Sequence, residues 1–154
     1  KDGTQESVLA VFDYLTEKLG LKVFRALFPV ILTDNGVEFK DPDQLEHAPN
    51  NCPRTKIFYC DPQASWQKPH VEKNHVLLRR ILPKGTSFKD LTKAQVVLAT
   101  NHINSVAREL FDNRTPFDLF IGENEKKLLE LLNLAPIAPD EVYLKPALLK
   151  TKPN

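Results

Sequence analysis

Two short apolar runs rich in β-branched residues limit the folds open to this chain. The first run, over residues 29–33, ends at Asp34, and the second, over residues 55–60, ends at Asp61. Runs of this length that stop at turn-forming residues are typical of strands, and the uniformly apolar first run indicates a buried strand. Because helical patterns surround both runs, the sequence predicts an α/β fold with few strands.

Apolar residues at three- and four-residue spacing predict helices before and after the two strands. The predicted helices span residues 4–20, 22–27, 70–82, 91–110 and 124–134. Gly20 is expected to end the first helix, and Asp90 to cap the helix over 91–110. The polar, Pro-rich residues 40–54 are expected to form a loop. The second half of the chain is therefore predicted to be mostly helical.

Composition excludes several classes of protein. The 154 residues are 42% hydrophobic and include 21 basic and 20 acidic side chains, which excludes a disordered polyelectrolyte and a histone-like protein. Two cysteines are too few for a disulfide scaffold, and no apolar run approaches the ~20 residues of a membrane span. Since the chain contains no methionine, we expect it to be a piece of a longer protein.

A pair of carboxylates is the strongest candidate for chemistry. Asp34 follows the first predicted strand, and Glu72 lies in the first turn of a predicted helix that also carries Lys73, Arg79 and Arg80. Mg²⁺ prefers one or two carboxylates together with phosphate oxygens and water, so this pattern favours phosphodiester chemistry. The alternative stays open, because Asp-Asn-Gly is a common turn and an acidic residue opposes the dipole at a helix start.

The distribution of charge favours a DNA partner. Residues 66–93 contain seven basic and two acidic side chains, whereas residues 34–61 contain six acidic and three basic ones. Basic clusters bind phosphates with salt-sensitive, sequence-independent affinity, although a solvated helix face has the same composition. The candidate DNA-contacting residues are Trp66, Lys68, Lys73, Arg79, Arg80 and Lys84.

Zinc binding is disfavoured by the cysteine spacing. The potential ligands are His47, Cys52, Cys60 and His70, and they lack the closely spaced cysteine pair of structural zinc sites. Cys60 is expected to be a small buried apolar residue. His75 and His102 fall on apolar helix faces, where packing is a more frequent role than catalysis.

Four segments resemble motifs of one protein family, in order along the chain. Residues 33–39 resemble the TDNGxEF motif around the second catalytic Asp of integrase-like transposases, and residues 61–68 resemble the DPxSSWQ segment of one group of bacterial transposases. Residues 72–86 resemble that group's ENxxxLxRxxxPKGT block, and residues 113–120 its closing segment. The chain therefore resembles a DDE-type bacterial insertion-sequence transposase with a retroviral-integrase-like core.

The resemblance implies a ribonuclease-H-like fold with an Asp, Asp, Glu triad that binds two Mg²⁺ or Mn²⁺ ions. Asp34 matches the second Asp, and Glu72 matches the final Glu. Neither Asp2 nor Asp13 fits the first Asp, so we expect the first strands to be missing and the fragment alone to be inactive, with metal bound weakly or not at all. The expected division is a partial core over 1–120 and a helical, Pro-rich extension over 121–154, packed on the core or a partner.

The function implied by the resemblance is DNA transposition. The longer parent would cleave DNA with metal ions, join transposon ends to target DNA, and act as a homo-oligomer in the bacterial cytoplasm at the nucleoid. Two alternatives stay open. One is a ribonuclease-H-like nuclease without strand transfer, and the other is a non-enzymatic DNA-binding or oligomerisation fragment.

Overall fold

The computed structural model describes residues 4–34, 36–61 and 69–150, with the side chains of Pro69 and His70 outside that description. The chain divides into two compact units, Lys1–Lys68 and Pro69–Asn154. Each unit mixes short elements with irregular segments, and no helix in the described ranges is long and apolar enough to cross a membrane. The predicted division into a core over 1–120 and an extension over 121–154 stays a prediction.

The first unit combines short helices with a small parallel sheet. Its elements are α1 (Gln5–Leu19), α2 (Leu21–Leu27), β1 (Val30–Thr33), α3 (Pro42–Glu46) and β2 (Lys56–Tyr59). The strands pair in parallel with Ile31 opposite Ile57, which confirms the mixed helix and strand content expected from the sequence. Parallel pairing needs a crossover connection, and the chain between the strands supplies it.

Two local predictions for this unit concern the end of its first helix and the loop over residues 40–54. The hydroxyl of Thr4 accepts a hydrogen bond from the backbone N–H of Ser7, and Gly20 ends α1 with a φ of 81°, as expected for a glycine terminator. The prediction of a loop over 40–54 is wrong in part, because α3 forms there. Pro42 stands at the start of α3, where its fixed φ suits a first helical residue.

The prediction that the first strand is buried is also wrong. Val30 and Leu32 are 52% and 54% exposed, and Phe58, on the neighbouring strand, is 54% exposed. Side chains alternate between the two faces of a sheet, so these residues share one open face. Thr33 and Ile57, on the opposite face, are buried. The apolar run of β1 is only half buried because one face of the sheet packs against the protein and the other face is exposed.

A buried arginine ties the helices of the first unit to the start of β2. Arg54 is 1% exposed, and its Nη1 donates to Oδ1 of Asp13 in α1 at 2.6 Å. Its Nε and Nη2 donate to two carbonyl oxygens of α3, at 2.8 and 3.2 Å. The guanidinium also lies 5.4 Å from the ring centre of Phe12 and 5.9 Å from that of Phe24. One side chain therefore connects α1, α2, α3 and the segment that enters β2.

Replacement of this arginine tests how much the first unit depends on it. Arg54→Met leaves carbonyl oxygens of α3 and the carboxylate of Asp13 without their donor, so we expect a loss of about 3 kcal/mol in the free energy of unfolding. Chemical denaturation measures the change. Arg25→Met is the matched control, because Arg25 is exposed and its hydrogen bond lies at the surface. Equal midpoints for the two variants would contradict this account.

The second unit is helical and is built around one apolar cluster. Its helices are α4 (Pro69–Ile81), α5 (Lys93–Asn104), α6 (Pro116–Leu119) and α7 (Glu123–Leu132). Short 3-10 turns follow at Pro139–Glu141 and Pro146–Leu149. The buried cluster consists of Leu77, Ile81, Leu82, Ala99, Ile103 and Leu148. Residues of α4, α5 and the C-terminal segment therefore share a core, and the mostly helical prediction for this half of the chain is confirmed.

The helix predicted over 91–110 is shorter at both ends. Thr92, not Asp90, caps α5, because its hydroxyl accepts from the N–H of Gln95 at 3.2 Å while the Gln95 side chain accepts from the N–H of Thr92 at 2.9 Å. After Asn104 the backbone of Arg108 forms an antiparallel bridge with that of Arg114, which a continuous helix does not permit. The predicted end at residue 110 is therefore wrong.

Polar side chains of α5 and of Ser105, the residue after it, hold the backbone of the C-terminal segment, here called the tail (residues 135–150). Three of them accept hydrogen bonds from backbone N–H groups of the tail, and one donates to a tail carbonyl. The pairs are Asn101 with Ala135 at 3.1 Å, Ser105 with Ile137 at 2.8 Å, His102 with Tyr143 at 3.1 Å, and Gln95 with Leu149 at 2.9 Å. The tail is thus fastened along the length of one helix.

His102 contributes to this attachment only in its neutral form. The side chain is 6% exposed, and burial lowers the pKa of the imidazole below its ordinary value of 6.5, against a smaller opposing effect of the charge on Glu141. Because the backbone N–H of Tyr143 can only donate, Nδ1 of His102 must carry the accepting lone pair.

Because of this histidine, we expect the free energy of unfolding to decrease as the pH is lowered. Above pH ~7.5 the imidazole is neutral in the folded and unfolded states and adds no pH dependence. As the pH drops through about 6.5, the unfolded chain takes up a proton that the folded chain resists, so the free energy of unfolding decreases. His102→Asn keeps an accepting oxygen without titrating. The variant should show a shallower loss of stability between pH ~7.5 and ~5.5 in chemical denaturation, and identical slopes would contradict the assignment.

Candidate functional site

Asp34 lies at the carboxyl end of the parallel sheet. It is the residue after β1 and is exposed, and Asp61, also exposed, lies two residues beyond the end of β2. The last residues of the two strands, Thr33 and Tyr59, are opposite each other in the register. Both carboxylates therefore follow strand ends at the same edge, the edge at which open α/β sheets bind ligands.

Glu72 lies in the first turn of α4, on the solvent side of the helix. His75, Val76 and Arg79 are exposed together with it, as expected for residues three, four and seven positions further along a helix. The packed side of α4 is instead formed by Leu77 and its neighbours in the core cluster. The expectation that His75 packs on an apolar face is wrong, because that face of α4 is the one turned to solvent.

The two candidate metal ligands belong to different units of the chain. Asp34 is part of the first unit and Glu72 part of the second. Each carries an exposed carboxylate next to the end of a regular element. Within residues 4–34, 36–61 and 69–150, no three His, Cys, Asp or Glu side chains cluster in a way that would hold a metal ion. The paired role of Asp34 and Glu72 stays a prediction.

The basic residues predicted to contact DNA are exposed where the structure describes them. Lys73, Arg79 and Arg80 lie on α4, and Lys84 lies in the turn after it. The guanidinium of Arg79 lies 5.8 Å from the ring centre of Phe88, which limits its freedom without removing it from solvent. The other two residues of this set, Trp66 and Lys68, lie outside the described residues.

Arg108 is a polar residue of the second unit that the sequence reasoning missed. It is 7% exposed, its Nη2 donates to Oδ1 of Asn74 in α4 at 2.8 Å, and its guanidinium lies 5.6 Å from the ring centre of Phe111. Its Nε has no hydrogen-bond partner in the described part of the chain, and burial lowers the pKa of the guanidinium. Arg108 thus fastens α4 two residues beyond Glu72. Arg108 turns inward because α5 ends early, at Asn104, and the apolar pattern of the sequence does not indicate that end.

The structure shows the surroundings of three of the four residues considered as zinc ligands. Cys60 is 8% exposed and follows β2, so its expected role as a small buried residue is confirmed. Cys52 is half-buried, and both thiols are free. His47 lies within 3.3 Å of a carboxylate oxygen of Asp43, at the surface of the first unit. These contacts are structural and add nothing to the case for zinc.

The known proteins that are similar to this chain include several transposases. The transposase for insertion sequence element IS4351 of Bacteroides fragilis is 28% identical over 100 residues, which cover 65% of this chain and 29% of the relative. Transposase InsI for element IS30A of Escherichia coli K12 is 30% identical over 64 residues, which cover 42% of this chain and 17% of the relative. This chain is similar to insertion-sequence transposases. The part of the motif resemblance that concerns insertion-sequence transposases is confirmed.

A third transposase extends the match to most of this chain. The transposase for element IS1086 of Cupriavidus metallidurans is 28% identical over 118 residues, 77% of this chain and 32% of that protein. The chain thus spans less than a third of the length of the curated relatives it matches. No family model matches it. No solved structure matches it either.

Proposed function

We propose that the chain is part of a DDE-type transposase with a ribonuclease-H-like core, and that the complete protein cleaves DNA and transfers strands as a homo-oligomer. The observation that carries the proposal is the similarity to several insertion-sequence transposases. The order of the four motifs between residues 33 and 120 supports the finer assignment to the DDE type. A parallel strand pair followed by helices is compatible with part of such a core.

The chemistry of the donor set fits hard divalent cations. Asp34 and Glu72 offer exposed carboxylate oxygens, which Mg²⁺ and Mn²⁺ prefer, and each is held by a regular element that limits its movement. When bound, a pair of such ions supplies a nucleophile at neutral pH and neutralises charge on the scissile phosphate. In this proposal Asp34 and Glu72 orient the site through their carboxylates and carry out no proton transfer of their own.

The first Asp of the triad has no match among the acidic residues considered for it. Asp13 belongs to α1, and its Oδ1 accepts a hydrogen bond from the buried Arg54 at 2.6 Å, which is a structural role. Asp2 lies outside the described residues. In this proposal the third carboxylate comes from elsewhere in the longer protein, and the chain alone is inactive.

The exposed basic residues of α4 and the turn after it would hold the DNA backbone. Lys73, Arg79, Arg80 and Lys84 offer cations within the stretch that also carries Glu72. Contacts of this kind position DNA for the carboxylates but carry no sequence information. They support transposon ends and target DNA as partners, with end recognition supplied by other parts of the protein.

Substitution of Glu72 in the longer protein tests the catalytic proposal. Glu72→Gln keeps the size of the side chain but removes its charge, so we expect strand transfer to fall to background while the fold persists. A strand-transfer assay with Mg²⁺ and labelled transposon-end DNA measures the effect. Glu130→Gln, at an exposed acidic position of α7, is the matched control and should retain transfer.

The products of the same assay separate the alternatives. Cleavage without joining by the unsubstituted protein would indicate a ribonuclease-H-like nuclease. Neither cleavage nor joining would indicate a DNA-binding or assembly role. Full strand transfer by the Glu72→Gln protein would overturn the assignment of this carboxylate.

Neutralisation of two lysines tests the DNA interface on the chain itself. For Lys73→Gln combined with Lys84→Gln, we expect weaker binding to every duplex sequence and a salt slope reduced by about 1.8, since each phosphate contact contributes about 0.9. Fluorescence anisotropy over a salt series measures this slope. Lys126→Gln with Lys127→Gln removes the same charge from exposed positions of α7. Equal slopes for the two double variants would contradict a specific role for Lys73 and Lys84.

A further inference from the structure

An open cavity in the second unit lies between α4, the segment after α5 and the tail. Its volume is about 670 Å³, and it is lined by Arg80 at the end of α4, by Ser105 and Val106 after α5, and by Tyr143 and Lys145 of the tail. Cavities of 300 to 1,000 Å³ are of the size that holds small organic ligands.

The wall that the tail contributes is fixed in place by α5 and by Ser105, the residue after it. The N–H of Tyr143 donates to Nδ1 of the buried His102 at 3.1 Å, and the N–H of Ile137 donates to Oγ of the buried Ser105 at 2.8 Å. Leu148, further along the tail, is 9% exposed and belongs to the core cluster. Because the tail is anchored on both sides of Tyr143 and Lys145, the cavity exists in the folded chain before any ligand arrives.

The charges around the cavity are of one sign. As far as the described residues go, its lining contains the basic side chains of Arg80 and Lys145 and no acidic one. Nζ of Lys145 lies 5.9 Å from the ring centre of Tyr143, a cation–π contact that holds the ammonium at the cavity wall. Asp140 and Glu141 are close in sequence but do not line the cavity. The remaining lining is largely apolar and includes Val106.

We propose that this cavity binds one unpaired nucleotide of a DNA strand, with the phosphate against Arg80 and Lys145 and the base against the apolar wall. Two cations beside an apolar surface match the two parts of a nucleotide, an anionic phosphate and a flat base. The cavity is too small for a duplex, so it selects a single strand. This inference rests on the proposed function, because an enzyme that cuts and rejoins strands must hold unpaired ends near its site.

In this proposal the tail contacts DNA together with the basic face of α4. Arg80 is among the residues expected to bind DNA from the sequence, but Lys145 lies far along the chain in a Pro-rich segment. Folding of the tail onto α5 brings Lys145 to the cavity that Arg80 also lines. The tail would therefore be part of the DNA-binding surface and not only a packing element.

Binding of a single-stranded oligonucleotide to the full 154-residue chain tests this inference. For Lys145→Gln we expect a five- to tenfold loss of affinity at about 50 mM salt and a salt slope reduced by about 0.7, the contribution of one phosphate contact in a single strand. Lys150→Gln is the matched control, because it removes an exposed charge from the same tail but does not line the cavity. An oligonucleotide of the same length made of abasic sites should bind the unsubstituted chain more weakly.

The outcomes distinguish failure of this inference from failure of the proposed function. If the unsubstituted chain binds DNA but Lys145→Gln and Lys150→Gln behave alike, the cavity does not hold a phosphate and this inference is overturned alone. Equal affinity for the abasic strand would overturn the assignment of the base to the apolar wall. If the unsubstituted chain binds neither single-stranded nor duplex DNA, the DNA-binding part of the proposed function is overturned as well.

Discussion

The first unit depends on the burial of one guanidinium group. Arg54 is the largest of its nearly inaccessible side chains, and its donors reach α1 and the carbonyl oxygens at the end of α3. A buried charge is costly unless its hydrogen-bonding capacity is used. Here a carboxylate and two carbonyl groups accept hydrogen bonds from Arg54, and two aromatic rings lie beside its charge. Since Arg54 immediately precedes the segment that enters β2, its position also fixes where the strand pair begins. The sheet edge that carries Asp34 follows from that register.

The second unit is held together by several polar contacts spread along one helix, whereas the first depends on a single side chain. The side chains of α5 and of Ser105 that accept hydrogen bonds from the tail replace backbone partners that an irregular, Pro-rich segment lacks outside a helix or sheet. Leu148 closes the apolar core over α4 and α5. The result is a rigid support for two features of functional interest, the exposed face of α4 with Glu72 and the cavity beside the tail. A helix face can remain exposed and charged because the packing on its other side is complete.

Features that depend on local interactions were predicted from the sequence, and features that depend on contacts distant along the chain were not. The helix over 5–19 and both strands follow from local patterns, and the structure confirms them. The early end of α5 depends on the bridge between Arg108 and Arg114, and a local apolar period contains no trace of such a pairing. The exposure of Val30 and Leu32 likewise depends on what covers each sheet face, which a run of apolar residues does not specify. The order of the motifs was more informative than the apolar patterns, since it indicated the similarity to insertion-sequence transposases. The inward turn of Arg108 and the placement of Lys145 became apparent only from the fold.

We propose that Asp34 is a metal ligand in a strand-transfer enzyme. The most direct measurement is strand transfer by the longer protein carrying Asp34→Cys, assayed in parallel with Mg²⁺ and with Mn²⁺. A thiolate is a poor ligand for the hard Mg²⁺ ion and a better one for Mn²⁺, so the ion that restores activity reports direct coordination. For Asp34→Cys we expect transfer at background in Mg²⁺ and measurable transfer in Mn²⁺. Activity equal to the unsubstituted protein in Mg²⁺, or no recovery in Mn²⁺, would contradict it.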